Sequence, residues 1–183
     1  NVRLSADETS TLQHGAHQAY NTEMNDLLLT ALAMALKSWM RAEFCLISLE
    51  GHGREPIDGD TRIYRTVGWF TSLFPFALPL KSEDTGTHIK QVKEALRRIP
   101  HKGIGYGILE KLSPHSIKPA DFSVPPQIAF NYLGQFDAES TQEMFTPADE
   151  PTGCPTGERL DRTHLLEWDG YILQGELHFS LRY

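Results

Sequence analysis

The sequence predicts an α/β fold, and three stretches carry that expectation. Apolar residues recur at three- and four-residue spacing over residues 24–39, an apolar run fills residues 44–49, and apolar and polar residues alternate over residues 164–183. The first is the period of a helix with one buried face. The second is too short for a helix and reads as a buried strand, and the third is the pattern of an antiparallel meander.

The chain opens on Asn1 and runs into Val2-Arg3-Leu4-Ser5, which reads as a strand or lead-in and suggests a piece of a longer polypeptide. Ser5 and Glu8 have capping-box spacing, so a helix is expected over residues 6–20, with Leu12, Ala16 and Ala19 on its buried face. In the next helix Met24, Leu27, Leu28, Ala31, Leu32, Ala35, Leu36 and Trp39 form the expected core stripe. Asn21 or Thr22 can cap it, and Asp26 in its first turn suits the helix dipole.

The strand over residues 44–49 delivers Glu50 at its end, followed by turn chemistry at residues 56–60. Residues 65–75 are unusually aromatic. Trp69 and Phe70 are expected in the core, while Gly68, Thr71 and Ser72 leave room for a ligand-lining loop. Residues 74–80 read as a strand, and Pro75 and Pro79 make it an edge strand or an irregular one. A second amphipathic helix is expected over residues 84–99, with Ile89, Val92, Leu96 and Ile99 buried. Lys90, Lys93, Arg97 and Arg98 load its exposed side.

Pro100 ends that helix, and residues 103–107 (Gly-Ile-Gly-Tyr-Gly) read as a tight loop entering a short helix at 108–112. That loop lacks the Lys-Ser/Thr of a phosphate loop. Residues 127–134 read as a strand in which Asn131 and Tyr132 point to opposite faces. Residues 113–126 and 135–160 read as loops. The closing meander is punctuated by Asp169-Gly170 and Gln174-Gly175.

The 183 residues are enough for one domain with a real core, and 40% hydrophobic with 22% charged residues is ordinary globular composition. A net charge of -7 without a Lys/Arg run argues against nucleic-acid binding. No apolar run reaches the length of a membrane span. Two distant cysteines, Cys45 and Cys154, form neither a disulfide framework nor a zinc spacing; Cys45 is expected as a free buried thiol in a reducing cytoplasm.

The chemistry concentrates in Glu50-Gly51-His52-Gly53-Arg54-Glu55. A carboxylate, an imidazole and a guanidinium lie within a few residues, and the glycines allow a tight turn and close approach of a ligand. A strand-end carboxylate beside a fixed cation can serve proton transfer. On local chemistry alone the cluster reads as a solvated loop before it reads as a site, since short Gly/His/Arg/Glu clusters at strand ends are usually solvated. His52 is either a second acid/base or a brace between two glycines.

Four motifs occur in order: residues 50–55, then Arg65-Thr66-Val67-Gly68-Trp69-Phe70-Thr71-Ser72, then residues 103–107, then Phe130-Asn131-Tyr132-Leu133-Gly134-Gln135-Phe136. Together they resemble the C-terminal half of an epimerization domain of a nonribosomal peptide synthetase, over essentially the whole chain. The resemblance implies a chloramphenicol-acetyltransferase-like lobe, a mixed sheet packed with helices, spanning residues 1–183. It implies inversion of Cα in an aminoacyl or peptidyl thioester held on the phosphopantetheine of a peptidyl carrier protein, with no directly bound cofactor or metal. The family's His-His-x-x-x-Asp-Gly motif belongs to an N-terminal lobe. No His-His pair occurs here, since His14 and His17 are separated, so that lobe is absent from the chain.

By the same resemblance Glu50 is one of two bases facing a histidine of the other lobe, with Arg54, His52, Asn131 and Tyr132 as further catalytic-site residues. Trp69, Thr71 and Ser72 would line the pantetheine path. The basic helix, through Arg97 and Arg98, is a candidate contact for an acidic carrier protein. Two alternatives stand on the same scaffold: an amide-forming condensation-type acyltransferase lobe, and a non-catalytic fragment that docks carrier proteins.

Overall fold

The computed structural model describes residues 1–57, 63–82, 84–114, 124–136, 150, 153, 157 and 161–183. Among the described residues six strands form one mixed sheet in the order β1-β6-β5-β4-β2-β3. They are β1 (Val2–Arg3), β2 (Phe44–Gly51), β3 (Ser72–Pro79), β4 (Ile128–Phe136), β5 (Leu166–Leu173) and β6 (Glu176–Arg182). The central pairs β2–β4 and β4–β5 are parallel; β1–β6, β5–β6 and β2–β3 are antiparallel. β3, with Pro75 and Pro79, is an edge as expected, because a proline has no amide to give a second neighbour.

Alternation along the strands divides the sheet into two faces. Cys45, Ile47 and Leu49 of β2 and Phe74, Phe76 and Leu78 of β3 are buried. They join a core with Leu28, Leu29, Leu32 and Leu36 of α3 (Met24–Trp39) and Val92 of α4 (Thr85–Arg97). The opposite parity is open: Leu46, Leu73 and Leu133 are exposed. Glu50 belongs to this second set, since it pairs with Leu73.

The N-terminal helix is one run with a seam. α1 (Ala6–Ser10) carries the expected capping box, with Ser5 and Glu8 exchanging hydrogen bonds. A π turn at Thr11–Gly15 precedes α2 (Ala16–Tyr20). Thr9, fully buried, accepts the Leu177 amide at 3.0 Å and ties this helix to β6.

α3 begins where the pattern placed it, but neither Asn21 nor Thr22 is its cap. Glu23 is, and Asp26 returns a bond to the Glu23 amide at 2.8 Å. Asp26 is only 3% exposed, and Arg97 of α4 binds its carboxylate at 3.2 Å. Trp39 is 70% exposed and Ala31 and Ala35 are also open, which corrects the expected core stripe. Leu27, Leu28, Leu32 and Leu36 of that stripe are buried as expected, and the buried face also takes in Leu29 and Ala33, so the helix is rotated slightly toward them.

α4 ends at Arg97, and Ile99 lies beyond it, before a 3₁₀ turn at Pro100–Gly103. α5 runs Ile104–Leu112, so Gly105 and Gly107 are helical rather than part of an entry loop. Gly103 is the glycine the turn requires: its φ is +85°, and a Cβ would overlap the Phe74 ring. The β5–β6 turn falls at Gln174-Gly175, both with positive φ, as the sequence suggests. Asp169-Gly170 is not a turn. It lies inside β5, where the glycine makes room for the Phe179 ring.

β4 extends to Phe136, two residues past the expected end, with a register shift between Tyr132 and Gln135 where Gly134 has φ +91°. Cys45 is buried and free, and its thiol pKa is raised by burial. Cys154, most of the turn at 56–60 and most of the loops at 113–126 and 135–160 lie outside the described residues. Among the described residues no helix is long and apolar enough to cross a membrane.

Candidate active site

A cavity of about 490 Å³ opens at the C-terminal ends of β2 and β4, where the start of α3 and the end of α4 converge. Its walls include Asp26, Leu29, Glu50, Arg97, Lys102 and Tyr132. Parallel strands place their C-terminal ends together, which is why residues 81 apart in sequence meet here.

Glu50 sits at the mouth of this cavity, on the open face. Asn131 lies beside it on β4 and donates from Nδ2 to Glu50 Oε2 at 2.8 Å. Partial loss of water around the carboxylate is the main influence raising the Glu50 pKa, and the negative Asp169 adds to it. The Asn131 bond and the nearby His164 pull the other way. The result is a carboxyl group with one side in solvent and a stronger hold on its proton than an ordinary glutamate.

Asn131 and Tyr132 do point to opposite faces. Tyr132 packs toward the core yet lines the same cavity as Glu50, reaching it from the helix side. Its half-buried phenol has a pKa raised by desolvation, so it remains a hydrogen-bond donor at neutral pH.

The loop after β2 is braced from within. The His52 ring accepts the Arg54 amide at 3.0 Å through Nδ1 and meets Glu55 at 2.8 Å through Nε2. Lys102 approaches the same Glu55 oxygen at 3.5 Å. Arg54 turns away from Glu55 and reaches the following segment instead. It donates to the Ile63 carbonyl at 2.5 Å and the Gly68 carbonyl at 3.4 Å, and its guanidinium lies 4.2 Å from the Phe70 ring centre. Gly53, with φ +65°, brings the chain so close that a Cβ would overlap the Phe70 carbonyl.

Trp69 is 91% exposed, which corrects its expected place in the core; Phe70 is half-buried under Arg54. Thr71 is exposed, and the Ser72 hydroxyl is buried without a partner among the described residues. Of the two arginines proposed for partner contact, Arg97 is already bound to Asp26 and to the Lys93 carbonyl at 3.1 Å, while Arg98 is exposed. The basic helix is thus less free than its spacing implied.

Residues not singled out from sequence complete the site. Asp169 of β5 stands beside Asn131 in the ladder, and Arg182 of β6 binds it at 2.6 Å and Glu167 at 3.0 Å. Asp169 was masked by the glycine after it, which resembled a turn. His164 was invisible because its proximity depends on the strand order.

The mixed sheet packed with helices matches the chloramphenicol-acetyltransferase-like fold of condensation domains. The family model "Condensation domain" matches residues 1–183, and the chain belongs to that family. The chain is 46% identical over 182 residues to surfactin synthase subunit 1 of Bacillus subtilis (strain 168), covering 98% of this chain and 5% of that protein. It is 43% identical over 195 residues to gramicidin S synthase 1 of Brevibacillus brevis, covering 100% of this chain and 18% of that protein. Among solved structures it is similar to the epimerization domain from the third module of tyrocidine synthetase B. That match has a TM-score of 0.89 and 44% identity, and covers 98% of this chain and 40% of the other. The first condensation domain of the CDA synthetase, 15% identical with a TM-score of 0.56, shares the fold. The chain is therefore a condensation-superfamily domain region of the nonribosomal peptide synthetase type, spanning a small part of the synthetases it matches.

Proposed function

We propose that the chain is the C-terminal lobe of an epimerization domain and supplies Glu50 as one of two acid/base groups. The substrate is an aminoacyl or peptidyl thioester on the phosphopantetheine of a peptidyl carrier protein. Glu50, as carboxylate, takes the Cα proton, and the bonding pair moves toward the thioester carbonyl to give an enolate. A group on the opposite face, from a companion N-terminal lobe, returns a proton to Cα. For the reverse direction Glu50 gives its proton back. In this reading Tyr132 serves the enolate oxygen and Asn131 the Glu50 carboxylate.

The observation that carries this is Glu50 at the cavity mouth, held by the Asn131 side-chain amide on the face left open by the helices. A carboxyl that must both accept and release a proton works best with a pKa above its ordinary value, and Glu50 has one. The likeness to a solved epimerization domain supports the same assignment. The family match also supports a second possibility, an amide-forming acyltransferase lobe. In that case the companion lobe's histidine is essential and Glu50 is dispensable.

The test is Glu50→Gln in the full-length protein, with chiral analysis of the released aminoacyl group. Loss of inversion supports the epimerase. Retained inversion removes Glu50 from the chemistry, and amide formation between two loaded carriers supports the acyltransferase. Carrier binding without either reaction points to a docking role.

A further inference from the structure

Glu50 and Asn131 belong to a longer row. Crossing the open face at one level, the row runs from Leu73 of β3 to its ladder partner Glu50 of β2. From Glu50 it passes to Asn131 of β4 through their side-chain hydrogen bond, one residue past the Leu49–Phe130 ladder pair. From Asn131 it continues through its ladder partner Asp169 of β5 to Ser180 of β6. Asp169 lies two strand spacings from Glu50, about 9–10 Å across the sheet. Its carboxylate is fixed by Arg182, which also holds Glu167, so one cation sits between two anions at this edge of the row.

We infer that Asp169, held by Arg182, is a positioning residue for Glu50, acting across Asn131 along one row of the open face. This rests on the acid/base role proposed for Glu50. Asp169 touches neither Glu50 nor the reacting atoms. It fixes the sign of the field along the row: a negative charge that opposes a second negative charge on Glu50 and favours its protonated form. Arg182 limits that effect by partial neutralisation and holds the Asp169 side chain in place.

Other charged groups face the same region. They are Glu23 at the cap of α3 and Asp26 in its first turn, Arg97 of α4, His52, Glu55 and Lys102 from the loops, His164 before β5 and Glu167 within it. Asp26 is matched by Arg97, and Glu55 by Lys102 and His52. His164 is the group among them that favours the Glu50 carboxylate. Asp169 is the negative charge among them that opposes ionisation of Glu50, and, like Glu167, it lies outside the cavity wall.

The test follows the Glu50 carboxyl by NMR in the full-length protein labelled at glutamate side chains, with Glu50→Gln assigning the signal. Asp169→Asn is expected to lower the Glu50 midpoint by roughly half a pH unit. Arg182→Gln is expected to raise it by a similar amount, and the double variant to return near the parent value. The acid limb of the inversion rate is expected to move with the midpoint in each case. Opposite signs with restoration cannot come from general loosening, which moves both variants the same way. Unmoved midpoints, or shifts of one sign, overturn the inference even if Glu50→Gln abolishes inversion. Opposite shifts uphold the coupling even if inversion survives Glu50→Gln, so the two failures are told apart.

Discussion

Asn131 on β4 gives its side-chain amide to Glu50 on β2 at 2.8 Å, across a parallel junction between residues 81 apart in sequence. The bond stabilises the ionised form of Glu50. Asn131→Ala is therefore expected to raise the Glu50 pKa further, because desolvation and Asp169 are then opposed by His164 alone. The acid limb of the pH–rate profile should move upward. A downward shift contradicts the assignment of donor and acceptor.

Glu50 also leaves a signature in stability. Its folded pKa lies above the unfolded value, so the folded state binds the proton more tightly. The cost of its charge is fully present above the folded pKa and is lost as pH falls below the unfolded value. Glu50→Gln should therefore be slightly more stable than the parent at neutral pH, with the difference vanishing below about pH 4. Thermal melts across that range check the sign.

Arg54 braces residues 63–70 through two carbonyls and the Phe70 ring. Arg54→Ala is expected to cost about 1–2 kcal/mol and to raise amide hydrogen exchange in that segment. The Glu50 titration should stay unchanged, since Arg54 does not contact Glu50. A large shift of that titration would place Arg54 in the proton chemistry instead.

Arg97 and Arg98 separate by the same logic. Reversing Arg97 sets a carboxylate against the buried Asp26 and is expected to cost about 2–4 kcal/mol. Reversing the exposed Arg98 should change stability by less than about 0.5 kcal/mol. Only Arg98→Glu thus tests carrier docking cleanly. Carrier affinity that does not fall, with unchanged salt dependence, returns that helix face to ordinary solvated surface.

Gly53 carries a backbone requirement. Its positive φ and its closeness to the Phe70 carbonyl leave no room for a side chain. Gly53→Ala is expected to destabilise by about 2–4 kcal/mol or displace the loop away from β3. Urea unfolding measures the first, and loss of the Arg54 protection pattern reports the second.

The residues themselves determined the elements and the key side chain. The Ser5/Glu8 box, the apolar run ending at Glu50, the edge prolines of β3 and the Gln174-Gly175 turn are local features. Backbone sterics and nearest-neighbour hydrogen bonds decide such features without the rest of the chain. Tertiary structure alone decided which α3 stripe is buried, why Trp39 and Trp69 stand in solvent, and why Arg97 is not free. It also put Asp169 and His164 near Glu50. Helical spacing leaves the rotation of a helix against its sheet open by a residue or so, and strand spacing leaves the order of strands open altogether. Those two freedoms are removed only when the sheet closes in its β4–β2 order, and with it the charges that tune Glu50.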